Sequence, residues 1–176
     1  MKKIIIDLET ANNKQNSICS IAYLDINEGI FKSSLINPET SFSIHNIKVH
    51  GISGYMCLNK PTIDEYFFSK LPSFENIIFI AHNAIFDSSV LIKSANYYGY
   101  ELKHIKYICT MELASKIFPH LGKKPGLKLV AEEIKFSLKH HNALSDAQCC
   151  FEIYKLYNLK FPNNINKYIR TKTMTS

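Results

Sequence analysis

Two hexapeptides of the chain share the pattern H-N-A-x-x-D: HNAIFD at residues 82–87 and HNALSD at residues 141–146. In each of them the aspartate, Asp87 or Asp146, lies about one turn beyond an asparagine that suits a helix N-cap. The positive end of a helix stabilises a carboxylate there, which would explain either aspartate alone. It does not explain why both follow the same triplet. The sequences around the hexapeptides do not match, so a duplicated domain is excluded.

A second pair of acids, Asp7 and Glu9, ends the apolar run KIIIDLE. Side chains alternate along a strand, so both carboxylates are expected on one face while Leu8 points to the core. Two neighbouring acids repel each other unless a cation lies between them. The alternative is a solvated D-x-E at the end of a strand, which is common.

Taken together, the four acids provide hard oxygen donors, and the sequence has no C-x-x-C pair and no H-x-x-x-H pair. Such donors suit Mg²⁺ or Mn²⁺ far better than zinc. A pair of these ions is the usual apparatus for phosphodiester hydrolysis. The acids therefore indicate metal-dependent phosphodiester chemistry.

The elements that must position these residues alternate between strands and helices in the later part of the chain, which indicates an α/β or mixed α+β class. The helices that follow the hexapeptides are expected to begin at Asn83 and Asn142. Residues 37–61 are expected to be loop-like, and the residues after Phe161 irregular. Strands are predicted at 3–9, 17–26, 30–36, 75–81 and 104–108, and helices at 62–71, after 83, at 110–118, from 127 and from 142 to 160.

Composition points to one soluble domain with a real core, since 46% of the 176 residues are hydrophobic. The start MKKIIIDLET has too few apolar residues for an export signal. The most apolar stretch cannot span a bilayer, because His82, Asn83 and Asp87 interrupt it. A cytoplasmic protein without a membrane partner is expected. The five cysteines are odd in number and are expected to be buried free thiols.

The net charge of +6 favours an anionic partner, nucleic acid first, although a solvated lysine-rich surface is the alternative. Of the 21 cationic side chains, only Arg170 is an arginine. Lysines bind phosphates as point charges but read bases poorly, whereas arginine forks recognise guanine. Little sequence specificity is therefore expected.

The order of these motifs resembles the DnaQ-like, or DEDDh, 3′–5′ exonucleases. The resemblance runs over residues 1–160 and adds the segments VHGIS at 49–53 and YICTMELASKIFP at 107–119, the second similar to the exonuclease X branch. It implies a ribonuclease H-like α/β fold with a mixed five-stranded sheet flanked by helices. Residues 161–176 then form a polar, basic C-terminal tail.

The resemblance also implies roles. Asp7, Glu9, Asp87 and Asp146 would be catalytic and would hold two Mg²⁺ or Mn²⁺ ions, with His141 as the general base. Spacing alone does not separate His141 from His82, since each precedes its aspartate by five residues; the resemblance assigns His82 to supporting structure. His140 is a weaker candidate for the base because its offset is six.

Substrate contacts are implied for five residues. Backbone groups at Thr10 and Ala11 would contact the 3′-terminal sugar, and Asn83 is a further candidate. His50 would help to form the terminal-nucleotide pocket, with a structural turn beside Gly51 as the equal alternative. Phe86 would either face the pocket or anchor its helix, and its place in the apolar stripe favours the anchor.

The implied activity is hydrolysis of single-stranded DNA or 3′ ends, releasing nucleoside 5′-monophosphates. One alternative is a 3′–5′ exoribonuclease or oligoribonuclease, because the motifs are shared by DNA and RNA enzymes. Another is a proofreading subunit within a polymerase assembly, although the tail is short and polar for a docking segment. A homodimer is possible, and a binding-only protein is disfavoured because all four acids and the histidine are present.

Overall fold

The computed structural model describes residues 1–14, 16–71 and 73–174. Within them, six strands form one mixed sheet in the order β3-β2-β1-β4-β5-β6. The three central strands β1, β4 and β5 are parallel, and the other pairs are antiparallel. The strands are β1 Lys2–Thr10, β2 Ile18–Asp25, β3 Phe31–Leu35, β4 Ile77–Ala81, β5 His104–Cys109 and β6 Arg170–Thr173.

Helices cover both faces of this sheet. The α-helices are α1 Ile44–His50, α2 Gly54–Cys57, α3 Ile63–Tyr66, α4 Ala84–Tyr97, α5 Thr110–Ile117, α6 Leu127–Glu133 and α7 Ala143–Lys160. Short 3₁₀ turns lie at Phe68–Lys70, Phe74–Asn76, Pro119–Leu121 and Ile165–Tyr168. In the described part of the chain, no helix combines the length and the apolar character that crossing a membrane requires.

The central strand β1 divides the core into two halves and thereby orients the acids. Its residues Ile4, Ile6 and Leu8 pack into the half that contains α4, whereas Ile5 packs into the half that contains α5 and α7. By the two-residue period, Asp7 and Glu9 continue the Ile5 face toward α7. The buried isoleucines, each contributing about 1.5–3 kcal/mol of hydrophobic stabilisation, fix that register.

The expected ribonuclease H-like class is confirmed, with six strands instead of five. The additional strand β6 lies in the tail that was predicted to be irregular, and that prediction is wrong. β6 pairs antiparallel with β5, for example Thr173 with His104. Ile165 is buried beside α7, and the ring of Tyr168 lies 5.1 Å from that of Tyr157. The strand RTKT has no apolar alternation because it is an exposed edge strand, and its pairing partner is distant in sequence.

Two other local predictions are wrong. Residues 37–61 contain α1 and α2 and are not simply loop-like. The helix predicted over 62–71 is one turn long, α3, followed by a separate 3₁₀ turn. Helix α1 has no buried residue, so its sequence shows no apolar stripe. Ser43 caps its N-terminus, because the Ser43 side chain accepts the N–H of Asn46. The five cysteines are buried and free, as predicted.

Candidate active site

The four acids meet at one edge of the sheet. Strands β1 and β4 are parallel and end there, and the helices α4 and α7 begin there. Asp7 and Glu9 come from the end of β1, Asp87 from the first turn of α4 and Asp146 from the first turn of α7. All four line one cavity of about 560 Å³. The sequence prediction that long stretches of chain fold to bring these residues together is therefore confirmed.

Three of the acids form a tight cluster. Carboxylate oxygens of Asp7, Glu9 and Asp146 all lie within 4.8 Å of one another. Asp87 stands beside this cluster; burial raises its pKa, and the backbone N–H groups of Asp87 itself and of Leu8 counteract part of that rise. Asp87 is close enough to Asp7 for its charge to raise the pKa of that residue.

Burial and mutual repulsion make this cluster costly to ionise. Burial, followed by the charges of Asp87, Asp146 and Glu9, raises the pKa of Asp7 well above its ordinary value. Burial raises the pKa of Glu9 to about 8, with Asp146 and Asp87 contributing. Burial also raises the pKa of Asp87 to about 8 and raises that of Asp146. A divalent cation would compensate this repulsion, because opposite charge favours the ionised form.

Asp146 shows directly that the cluster fits a metal. Its Oδ2 accepts the backbone N–H of His141 at 3.0 Å and the Nδ1–H of His140 at 3.2 Å. Its Oδ1 is buried and has no hydrogen-bond partner among the described residues. A buried acceptor without a partner costs about 1–3 kcal/mol. An ion would complete the coordination of Oδ1, and four carboxylates are the donors that Mg²⁺ or Mn²⁺ prefers.

His141 lies at the rim of the cavity. Its backbone is in the left-handed region, with φ 63°, and its ring stacks on that of His140 with centroids 3.9 Å apart and planes at 19°. Burial, and then the neighbouring His140, lower the pKa of His141. A neutral, exposed imidazole beside an acid cluster is able to accept a proton.

Sequence reasoning did not anticipate the contact between His140 and Asp146. An offset of six from Asp146 makes it a poor match to the motif, yet its Nδ1 contacts the carboxylate directly. The only available sequence signal was its adjacency to His141. The turn between α6 and α7 places both rings over Asp146, and the sequence does not specify that turn.

His82 occupies a different environment. Its Nε2 donates to the carbonyl of Pro125 at 3.0 Å, and its Nδ1 faces the hydroxyl of Thr110 at 3.0 Å. Burial lowers its pKa to about 4. Both ring nitrogens are therefore engaged in hydrogen bonds that connect the end of β4, the start of α5 and the loop before α6.

Thr10 and Ala11, at the end of β1, have different positions. Thr10 lines the cavity, and its carbonyl accepts the side-chain N–H of Asn46 at 2.8 Å. Ala11 does not line the cavity and is fully buried. Its N–H donates to Ser17 at 2.7 Å and its carbonyl accepts from Ser43 at 2.8 Å. The backbone of Ala11 is thus engaged within the fold, and the predicted sugar contact at this residue stays a prediction.

His50 makes the contacts of a structural turn and also lines the cavity. Its Nδ1 accepts the N–H of Ile52 at 3.0 Å, and its Nε2 donates to the carbonyl of Thr10 at 3.1 Å. The next residue, Gly51, ends α1 with φ 75°. The ring also lines the cavity. His50 therefore supports the turn and forms part of the wall at once.

Asn83 and Phe86 both line the cavity. Asn83 is left-handed, with φ 58° and ψ 42°, and its side chain makes no capping hydrogen bond within the described residues. It occupies the predicted N-cap position without capping. Phe86 is 41% exposed, so the preferred interpretation of this side chain as a helix anchor is wrong.

Sequence reasoning predicted only Thr10 and His50 in one wall of the cavity and missed the rest of it. This wall comes from the loop after β1 and from helix α1, which lies in the segment predicted to be loop-like. The additional lining residues are Asn12, Asn13, His45, Asn46 and Val49. The capping serine Ser43 was the available signal for this helix.

Known proteins resemble this chain in sequence and in fold. The RNase T family model, described as exonuclease, matches residues 4–154. The DNA polymerase III subunit epsilon of Aquifex aeolicus is 31% identical over 185 residues, covering 97% of this chain and 88% of the relative. That of Buchnera aphidicola subsp. Baizongia pistaciae is 26% identical over 193 residues, covering 99% and 78%.

Among solved structures, exonuclease X in complex with 5′ overhanging duplex DNA superposes with a TM-score of 0.72 at 24% identity, covering 94% of this chain and 96% of that one. The nuclease domain of 3′hExo, a DEDDh family member bound to rAMP, has a TM-score of 0.66 at 16% identity, covering 98% and 97%. The fold and the site define a ribonuclease H-like nuclease. The chain belongs to the exonuclease family, as a DEDDh-type 3′–5′ exonuclease.

Proposed function

We propose that this protein hydrolyses DNA from its 3′ end with Mg²⁺ or Mn²⁺ and releases nucleoside 5′-monophosphates one at a time. The observation that carries the proposal is the buried Oδ1 of Asp146, which lacks a hydrogen-bond partner among the described residues and belongs to a cluster of acids beside an exposed histidine. DNA is the proposed substrate because the named relatives are subunits of DNA polymerase III.

The acids would hold two divalent ions. Asp7 would contribute to both sites, Glu9 and Asp146 would complete one of them, and Asp87 would support the other. The ions, when bound, activate the attacking water and stabilise the charge that develops on the departing 3′ oxygen. This assignment is supported by the raised pKa values of all four acids, Asp7, Glu9, Asp87 and Asp146. Buried carboxylates are costly to ionise unless a cation is bound to them.

His141 would act as the general base. Its lowered pKa keeps the imidazole neutral near pH 7, so a ring nitrogen can take the proton from water as the water attacks phosphorus. The bond from phosphorus to the 3′ oxygen then breaks, and the terminal nucleotide leaves as its 5′-monophosphate. His82 is excluded from this role because both of its nitrogens are engaged.

The terminal nucleotide would lie against the cavity wall made by Thr10, His50, Asn83 and Phe86. Phe86 and Val49 offer apolar surface for a base or sugar. Stacking of a base on an aromatic ring such as that of Phe86 does not depend on which base is bound. Together with the near absence of arginine, this wall supports binding of single-stranded 3′ ends with little sequence specificity.

Digestion of a single-stranded DNA oligonucleotide, 5′-labelled for gel electrophoresis and internally labelled for thin-layer chromatography, tests the proposal. We expect a ladder that shortens from the 3′ end, mononucleotide products on thin-layer chromatography, and no reaction in chelator or with Asp7→Asn. Release of dinucleotides, or digestion that survives chelation, would contradict it. A matched RNA oligonucleotide digested in parallel tests the exoribonuclease alternative.

A second candidate function is proofreading within a polymerase assembly. It is favoured by the coverage of 88% of the epsilon subunit of Aquifex aeolicus. Size-exclusion chromatography of the purified chain separates the two: nuclease activity that elutes with the isolated protein indicates a free-standing enzyme. Activity that appears only after a DNA polymerase catalytic subunit is added indicates a subunit. The same elution volume tests the homodimer.

A further inference from the structure

Asp146 belongs to two clusters of metal-ligating side chains in the part of the chain that the structure describes. The first is the acid cluster with Asp7 and Glu9. The second joins Asp146 to His140 and His141, and one ligand atom from each of the three lies within 4.8 Å of the others. The two clusters use different chemistry, because the second contains two imidazole nitrogens and a single carboxylate.

We propose that His140, His141 and Asp146 form a separate binding site for Zn²⁺ and that zinc held there inhibits the exonuclease. Two imidazoles and a carboxylate are a ligand set that Zn²⁺ accepts, whereas Mg²⁺ requires oxygen donors. The protein therefore presents a Mg²⁺-type and a Zn²⁺-type donor set on either side of one carboxylate.

The distances already approach those of a zinc site. With Zn–N and Zn–O bonds of about 2.0–2.1 Å, tetrahedral ligand atoms are about 3.3 Å apart. His140 Nδ1 and Asp146 Oδ2 are 3.2 Å apart. On zinc binding the hydrogen bond between His140 Nδ1 and Oδ2 would be replaced by bonds to the ion, and the neutral ring would carry its single proton on Nε2.

The turn that carries the histidines is held in place by its own hydrogen bonds. The N–H of Lys139 donates to Ser145 Oγ at 2.8 Å, and Asn142 caps α7 by accepting the N–H of Ser145 at 3.1 Å. The left-handed backbone of His141 keeps its ring beside that of His140. Both rings are exposed, so His141 can tilt out of the stack to reach an ion, and solvent can supply the fourth ligand.

Zinc at this site would block catalysis in two ways, an effect that rests on the function proposed above. It would occupy the ring nitrogen of His141, which then could not accept a proton. It would also draw on the charge of Asp146, which belongs to the acid cluster as well. Added Mg²⁺ would not relieve this inhibition fully, because Mg²⁺ does not compete for imidazole nitrogens.

Zinc binding to the full chain, measured by isothermal titration calorimetry, tests the site without requiring activity. We expect a zinc site in the wild type that is retained in Glu9→Gln, because this substitution disrupts only the acid cluster. In His140→Ala the affinity should fall at least about tenfold, as loss of a direct ligand exceeds the usual effect of an outer-sphere change. His140→Gln, which keeps a hydrogen-bond donor for Asp146, provides a second variant should the alanine variant fold poorly.

His120→Ala is the matched control, since His120 is an exposed histidine that pairs with Glu133 elsewhere on the surface. It should bind zinc like the wild type. In exonuclease assays at saturating Mg²⁺, each protein is compared with its own zinc-free rate: wild type and His120→Ala should be inhibited, and His140→Ala and His140→Gln should resist. Unchanged zinc affinity in both His140 variants, or loss of zinc binding in Glu9→Gln, would overturn the proposal. A chain that binds zinc as expected but shows no exonuclease activity would instead contradict the proposed function.

Discussion

The backbone N–H of His141 donates to Oδ2 of Asp146 at 3.0 Å, while Oδ1 of the same carboxylate is buried without a hydrogen-bond partner in the described residues. One oxygen therefore fixes the orientation of the side chain, and the other is left for a ligand. Because the N–H belongs to the backbone, this orientation does not depend on the protonation of the His141 ring.

The substitution Asp146→Asn should test the role of the Asp146 carboxylate as a metal ligand. In the absence of metal the variant should be more stable than the wild type, because burial raises the pKa of Asp146 and its charge is costly. In the wild type, Mg²⁺ at about 100 times its Kd should add about 2.7 kcal/mol of stability. Each kcal/mol of added stability raises the Tm of a chain of this length by about 2–4 °C. The Asp146→Asn variant should lose most of this Mg²⁺-dependent rise in Tm. Differential scanning fluorimetry with chelator and with Mg²⁺ measures both effects; an equal Mg²⁺ shift in the two proteins would exclude Asp146 as a ligand.

His141→Ala should reduce kcat by about 10²–10⁴, the usual contribution of a general base. Its ring is exposed, so its removal should leave the Tm close to that of the wild type. Steady-state digestion of a labelled oligonucleotide, together with thermal unfolding of the same sample, gives both quantities. Wild-type turnover in this variant would eliminate His141 as the base.

His82→Ala should show the opposite pattern. Removing this ring leaves the carbonyl of Pro125 and the hydroxyl of Thr110 without their present partner, and each such buried group costs about 1–3 kcal/mol. We expect a clear fall in Tm, with residual activity at a temperature where the variant is folded. The His141→Ala protein is the matched control, because it removes the same side chain from the other hexapeptide.

The two hexapeptides also show how far the sequence could predict this site. The alternation of β1 correctly predicted that Asp7 and Glu9 share a face, and the helix-start pattern correctly placed Asp87 and Asp146. The identical letters nevertheless adopt different backbones. In the first the left-handed residue is Asn83, and in the second it is His141, followed by an extended, capping Asn142.

The difference has a tertiary cause. Helix α4 begins three residues after the end of β4, so the chain must turn sharply at Asn83. Helix α7 follows a longer turn after α6, which leaves Asn142 free to cap and puts both histidines over Asp146. The six residues of each hexapeptide do not determine the length or direction of the connection that precedes them, so they do not predict its backbone conformation. Strand β6 was missed for a related reason, since the partner that stabilises it lies more than sixty residues away.

The pH dependence of stability should differ with and without metal. Burial raises the pKa of Glu9 and of Asp87 to about 8 in the folded protein, against about 4 in the unfolded chain. Between these values the folded state binds more protons, so the free energy of unfolding falls as the pH rises. Below about pH 6.5 the lowered pKa of His82 acts in the opposite direction, because there the unfolded state binds the additional proton.

Between pH 6.5 and 8 the acids therefore make the largest contribution to the change in stability. Urea unfolding in chelator should give a lower free energy of unfolding at pH 8 than at pH 6.5, and Mg²⁺ should reduce this difference. Asp87→Asn should reduce it as well, since one of the titrating groups is removed. A metal-free wild type whose stability is constant across this window would contradict the electrostatic description of the cluster.

Phe86→Ala should weaken substrate binding without destabilising the fold. The ring is 41% exposed and lines the cavity, so its removal leaves no hole in the core. Stacking of a base on an aromatic ring contributes about 1–3 kcal/mol, and we expect KM for a single-stranded oligonucleotide to rise by at least about fivefold. The matched control is Ile85→Ala, which removes a neighbouring exposed side chain that does not line the cavity. Equal KM values for the two variants would show that exposure alone, and not the position of Phe86 in the wall, determines the effect.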